Sequence, residues 1–161
     1  MIGRLRAGVI GINARKRLVI AQRQKGATKM TNEQTKEFVM DTWTALAKGD
    51  FDAALENLSD NVTWLVPGSL PNISGLKRGK QEVNDFMAGV LSMFPEGLQS
   101  EIRRTYCDGS TVIAEVSNRG NLRTGKFYEN EYCYVFELEE GKIRRIRHCF
   151  DTQKLKEILF S

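Results

Sequence analysis

Residues 125–152, GKFYENEYCYVFELEEGKIRRIRHCFDT, constrain what this chain can fold into more than any other stretch. They predict two β-strands of strict alternation joined by a tight turn at Glu139-Glu140-Gly141-Lys142. Successive side chains of a strand point to opposite faces of its sheet. Tyr128, Asn130, Tyr132, Tyr134 and Phe136 therefore share one face, and Glu129, Glu131, Cys133, Val135 and Glu137 the other. The second strand divides into Ile146, His148 and Phe150 against Arg145, Arg147 and Cys149. One side of the pair is charged and suited to cross-strand ion pairing. The other is an aromatic wall carrying Asn130, Tyr132 and His148, and it borders either a core or a pocket.

The chain of 161 residues is long enough for one domain with a full core. Residues 1–29 hold eight Lys and Arg and no acid, which leaves 16 basic and 20 acidic residues in 30–161, a net of −4. The basic balance belongs to the first 29 residues, and the mildly acidic body argues against nucleic-acid binding by the folded domain. Three readings of residues 1–29 stand: an organellar presequence, a basic arm for nucleic acid or an anionic membrane surface, or an extension upstream of a true start at Met30. The last is favoured, because Met30 opens directly onto a helix-start signal. We divide the chain into this peripheral extension, 1–29, and a domain over 30–161. No apolar run is long enough to span a bilayer. The three cysteines, Cys107, Cys133 and Cys149, lack ligand spacing and are expected as buried thiols of a cytoplasmic protein.

Thr31-Asn32-Glu33-Gln34 has the pattern of a capping box, followed by an apolar helix face of Val39, Trp43 and Leu46 that Gly49 ends. Asp50 caps a short helix with Phe51, Ala54, Leu55 and Leu58 inward. Asn61 to Val66 is a strand, Pro67 to Gly79 a turn-rich loop, and Lys80 to Phe94 a third amphipathic helix. Strands at Gln99–Cys107 and Thr111–Arg119 precede the opening pair, and Thr152 caps a last helix with Leu155, Ile158 and Leu159 as its apolar side. The order α-α-β-α-β-β-β-β-α predicts an α+β fold with helices on one face of an antiparallel sheet.

Trp64 before Pro67-Gly68, Ser74-Gly75…Arg78-Gly79-Lys80 leading into a helix, and the ending Gly141-Lys142-Ile143…Arg147-His148-Cys149-Phe150-Asp151-Thr152 carry a resemblance. Over residues 31–159 the chain resembles the nuclear transport factor 2-like superfamily, and within it the SnoaL-like, ketosteroid-isomerase-related branch. The resemblance implies a cone-shaped, cystatin-like α+β barrel: a strongly curved sheet wrapped around the N-terminal helices, an apolar pocket inside and a homodimer through the convex face. Fold alone does not supply function, so each of the family's catalytic constellations is compared by residue. Epoxide-hydrolase-like members carry Arg, Asp and Asp where this chain has Val116, Asn118 and His148. Isomerase-like members carry an Asp base where Val66 stands, and many SnoaL-like relatives have Glu and Tyr in place of His148 and Cys149.

His148 is the one histidine, and imidazole moves protons near neutral pH. One working model casts His148 as a base acting on a small hydrophobic, carbonyl-containing molecule, set behind the plainer expectation of a satisfied, non-catalytic histidine. Asn118, Asn130 and Tyr132 would be donors to an enolate, and Trp64, Val116 and Phe150 would complete the lining. The competing expectation is a satisfied histidine in a non-catalytic binding or dimerisation module. Asp151 is expected to cap the last helix or to pair with a nearby Arg, and Lys77-Arg78…Lys80 either to bind an anion or to lie solvated. No P-loop, dinucleotide fingerprint, metal-ligand spacing or nucleophile elbow occurs, so no cofactor is expected.

Overall fold

The structure, a computed structural model, describes residues 30–160. The expectations placed on residues 1–29 lie outside the described residues. Helix α1 spans Asn32–Lys48, α2 Phe51–Asn57, α3 Gly79–Ser92 and α4 Thr152–Phe160. The strands are β1 Leu58–Val66, β2 Gly75–Arg78, β3 Gln99–Asp108, β4 Thr111–Asn121, β5 Phe127–Glu139 and β6 Lys142–Phe150.

Local signals set most of these ends. The Thr31 hydroxyl accepts from the Gln34 N–H while the Gln34 side chain accepts from the Thr31 N–H, so the capping box is complete. Gly49 ends α1 at φ 76° and returns its N–H to the carbonyls of Ala45 and Leu46. The last helix is capped by Asp151 rather than Thr152: its carboxylate accepts from the Lys154 N–H at 2.9 Å. Leu58, expected at the end of α2, instead opens β1, where it is fully buried.

The six strands form one open sheet in the order β2-β1-β6-β5-β4-β3. The architecture is the expected α+β one, with two refinements. The turn-rich segment 67–79 contains the edge strand β2, paired antiparallel to β1. The sheet is mixed, because β1 runs parallel to β6. That pairing follows from the chain path: β1 and β6 are far apart in sequence, and no hairpin forces them antiparallel.

The parity of β5 and β6 is as read: Tyr128, Asn130, Tyr134, Phe136, Ile146 and His148 are buried, while Glu129, Glu131, Cys133, Arg145, Arg147 and Cys149 are exposed. Glu140 and Gly141, at φ 51° and 75°, make the two-residue turn whose twist suits a hairpin. Register then shifts between Leu138↔Ile143 and Glu137↔Arg145, leaving Arg144 as the extra residue of a β-bulge. The bulge lets Ile143 and Ile146, three apart, both face inward. The inner face, α1 and α3 enclose a core that includes Val39, Trp43, Leu46, Trp64, Val83, Met87 and Phe136. A second cluster of Leu70, Phe94, Leu122, Tyr128 and Leu155 adjoins it.

Candidate ligand pocket

The pocket is organised by one hydrogen bond. Because β1 lies beside β6 with Trp64 in register with Ile146, the Trp64 indole reaches the side chain two residues further along β6. Its Nε1–H donates to Nδ1 of His148 at 3.0 Å, with both residues buried. Nδ1 is thus the unprotonated nitrogen and Nε2 carries the hydrogen. No protein acceptor for that Nε2–H is found among the described residues, and His148 lines the cavity. Burial, helped by the charge of Lys77, pulls the imidazolium pKa down to about 3, so the ring is neutral at physiological pH. Tyr134, Phe150 and Tyr132 hold the ring at centroid distances of 5.0, 5.2 and 5.6 Å.

The cavity beside His148 measures about 50 Å³ and is walled by aromatic and Met side chains, including Phe86 and Met87 from α3. That is well below the several hundred Å³ usual for a drug-sized ligand. A larger cavity of about 330 Å³ lies against α1 and the start of β3, with Thr44, Lys48, Gln99 and Ser100 on it. Trp43 and Leu98 line both. The Trp43 Nε1–H is buried and has no hydrogen-bond partner among the described residues, a rare state for a native polar group.

Of the residues singled out in the sequence, Trp64, Asn118, Tyr132, His148 and Phe150 come together at the cavity. Val116 is in the core, away from the cavity lining. Asn130 is also not at the lining: its amide donates to the Asp151 carbonyl and its oxygen accepts from the Glu131 N–H. The lone amide in the aromatic row is satisfied by backbone. Asn118 is partly committed too, its Oδ1 accepting from Ser100 Oγ at 2.5 Å. The Tyr128 and Tyr132 hydroxyls bond one another, and burial pushes the phenols of Tyr128, Tyr132 and Tyr134 upward, so all three stay neutral. Among the described residues no Asp or Glu lines the cavity.

Sequence reasoning missed Trp43 as a pocket group, since on its helix it reads as core. It also misjudged Lys77. The ammonium turns back to donate to the carbonyls of Ile73, Ser74 and Gly75 and sits 4.6 Å above the Phe86 ring. The basic cluster is dispersed, with Lys80 paired to Asp60 at 2.9 Å. Nor are the cysteines all buried, because Cys133 and Cys149 occupy exposed positions on the outer face.

The structure is similar to a nuclear transport factor 2-like protein of unknown function from Burkholderia pseudomallei K96243, with TM-score 0.70 and 19% identity over 82% of this chain and 100% of the other. It is similar to TerC crystallised with polyporic acid, with TM-score 0.70 and 19% identity over 79% and 98%. A protein named as a SnoaL-like polyketide cyclase from Jannaschia sp. CCS1 gives TM-score 0.70 and 14% identity over 83% and 97%. These likenesses show the nuclear transport factor 2-like fold. None of the curated proteins compared with the chain matches it. No helix among the described residues is long and apolar enough to cross a membrane. The SnoaL-like domain family matches residues 39–146, most of the chain and all of its described sheet except the last four residues of β6, and the protein belongs to that family.

Proposed function

We propose that the protein is a SnoaL-like binding module for a small, mainly aromatic or aliphatic molecule bearing a carbonyl, and that His148 donates to that carbonyl. The observation that carries this reading is the Trp64 Nε1–H to His148 Nδ1 bond, which commits the imidazole to donating through Nε2. A base at this position needs a free lone pair, but that of Nδ1 is engaged by the Trp64 N–H and Nε2 carries the ring hydrogen. With no carboxylate at the cavity and phenols held neutral, proton abstraction has no other acceptor there. The orphan Trp43 N–H is a second donor in the same apolar surroundings. The small cavity suits a ligand of a few heavy atoms, or a larger one admitted by movement of flexible residues such as Met87 and Met93. TerC crystallised with polyporic acid and the polyketide-cyclase relative are consistent with oxygenated apolar ligands.

Both tryptophans of the chain line the pocket, so intrinsic fluorescence reads it directly. The test is titration with acetophenone and with ethylbenzene, which share size and differ in the carbonyl. We expect the ketone to bind about tenfold tighter, the worth of one net hydrogen bond, with His148→Phe abolishing the difference. Equal affinities for the two probes in the wild type would overturn the reading. The enzyme alternative, isomerase, cyclase or dehydratase chemistry with His148 as base, would be supported instead by solvent deuterium entering the methyl group of bound acetophenone in a His148-dependent way.

The outer face supports a homodimer. Tyr106 on β3 and Ile113 on β4 are register partners, both exposed, with half-buried Val135 next in the row. Such an apolar row on a charged face suits a second copy of the chain. Sedimentation should give a dimer that Tyr106→Glu dissociates; a monomeric wild type would remove the inference.

A further inference from the structure

Cys133 and Cys149 are direct register partners on β5 and β6. Both side chains lie on the outer face, because Tyr132, Tyr134, His148 and Phe150 on either side of them turn inward. Directly opposed residues of an antiparallel pair have Cα atoms about 4.5 or 5.5 Å apart, depending on the pair type. Both separations fall inside the range of about 4.4–6.8 Å that a disulfide spans. The partnership depends on the bulge at Arg144. Continuing the register of Leu138↔Ile143 would set Cys133 against His148, and the extra residue sets it against Cys149 instead. Cys107 has no such neighbour: it lies on β3 opposite Val112, its Sγ–H directed to the Gly109 carbonyl at 3.6 Å.

We propose that Cys133 and Cys149 are an oxidisable dithiol, a modification site closed to an intramolecular disulfide by a low-molecular-weight disulfide such as oxidised glutathione. One thiolate attacks a glutathione sulfur, forming a mixed disulfide and releasing one glutathione thiolate. The second cysteine then attacks its neighbour's sulfur, releasing the other. Two thiols are oxidised, one external disulfide is reduced, and two protons leave with the two glutathione thiols. The bond would tie β5 to β6 immediately behind Tyr132, Tyr134, His148 and Phe150, so the pocket wall is stapled from its back. The site stands on strand register and exposure, independently of which ligand the pocket takes.

The groups around the pair set the conditions. Glu115 on β4 is the register partner of Cys133, and Arg147 lies two residues before Cys149 on the same face of β6. Partial desolvation at the sheet surface, with Cys149 and Glu115 adding to it, holds the Cys133 thiol upward, so its reactive thiolate form grows as pH rises.

The experiment incubates the native full-length chain with oxidised glutathione at about pH 8.5, where an ordinary thiol is half ionised. Remaining thiols are then alkylated and intact and proteolysed masses measured. The expected result is a product two hydrogens lighter that takes one alkyl group, on Cys107, with Cys133 and Cys149 in one cross-linked peptide pair. Cys133→Ser should stop at a stable glutathione adduct on Cys149. Three alkylated thiols, a persistent adduct on the wild type, a disulfide involving Cys107 or a cross-link between chains would each overturn the proposal.

Discussion

The indole of Trp64 and the imidazole of His148 are joined by a 3.0 Å hydrogen bond that bridges β1 and β6, the parallel seam of the sheet. One contact fixes a tautomer and satisfies two buried polar groups. Its consequences reach both stability and ligand chemistry.

The first is a pH dependence of stability. The His148 pKa falls from 6.5 unfolded to about 3 folded, so between those values the unfolded chain binds the extra proton. Stability from this group is fully present above about pH 6.5 and is lost as pH falls toward 3, at up to about 1.4 kcal/mol per pH unit. Urea midpoints measured from pH 7 to pH 4 should fall steeply in the wild type. His148→Gln should flatten the curve down to the range where carboxylates titrate.

Removing the donor tests the same bond from the other side. Trp64→Phe keeps an aromatic ring in the core and leaves Nδ1 buried without its partner, at a cost of about 1–3 kcal/mol. Nitrogen-15 NMR of the imidazole should show a single Nε2–H tautomer in the wild type and a mixture in the variant. A mixture in the wild type would contradict the assignment.

Lys77 is expected to hold the segment ahead of β2 in place. Lys77→Met removes the ammonium shared by the carbonyls of Ile73, Ser74 and Gly75 while keeping most of the chain that covers Phe86. It also removes a positive charge that lowers the His148 pKa. Amide exchange across residues 70–76 should quicken, and the His148 titration should move upward from its wild-type value.

Gly120 on β4 lies under Phe94. A Cβ there would come within 2.9 Å of Phe94 Cδ1 and 3.1 Å of the Gly97 carbonyl. Gly120→Ala should cost about 1–3 kcal/mol of overpacking strain, read as a lowered thermal midpoint. Phe94→Leu in the same chain should recover part of the loss, since the ring is the nearer obstacle.

The sequence by itself determined the features that depend on near neighbours. The Thr31–Gln34 capping box, the Gly49 helix stop and the inward and outward faces of β5 and β6 follow from spacing, because cap chemistry and strand parity act over a few residues. Alternation together with family resemblance also named Trp64, Asn118, Tyr132, His148 and Phe150, which line one cavity. The tautomer of His148 was not legible, since which ring nitrogen carries the hydrogen depends on a partner 84 residues away. Asn130 read as a pocket amide, yet tertiary structure brings the Asp151 carbonyl to it first. Lys77 read as solvated, yet it folds back onto three carbonyls. Cys133 and Cys149 read as buried because cysteine usually is, while the register imposed by the Arg144 bulge sets them side by side in the open. The partners of Lys77 lie only two to four residues away, but the loop path that aims their carbonyls at it is set by the pairing of β2 with β1. For His148, Asn130 and the two cysteines the packing of distant segments decided the outcome, because their hydrogen-bond partners and burial are properties of the assembled fold.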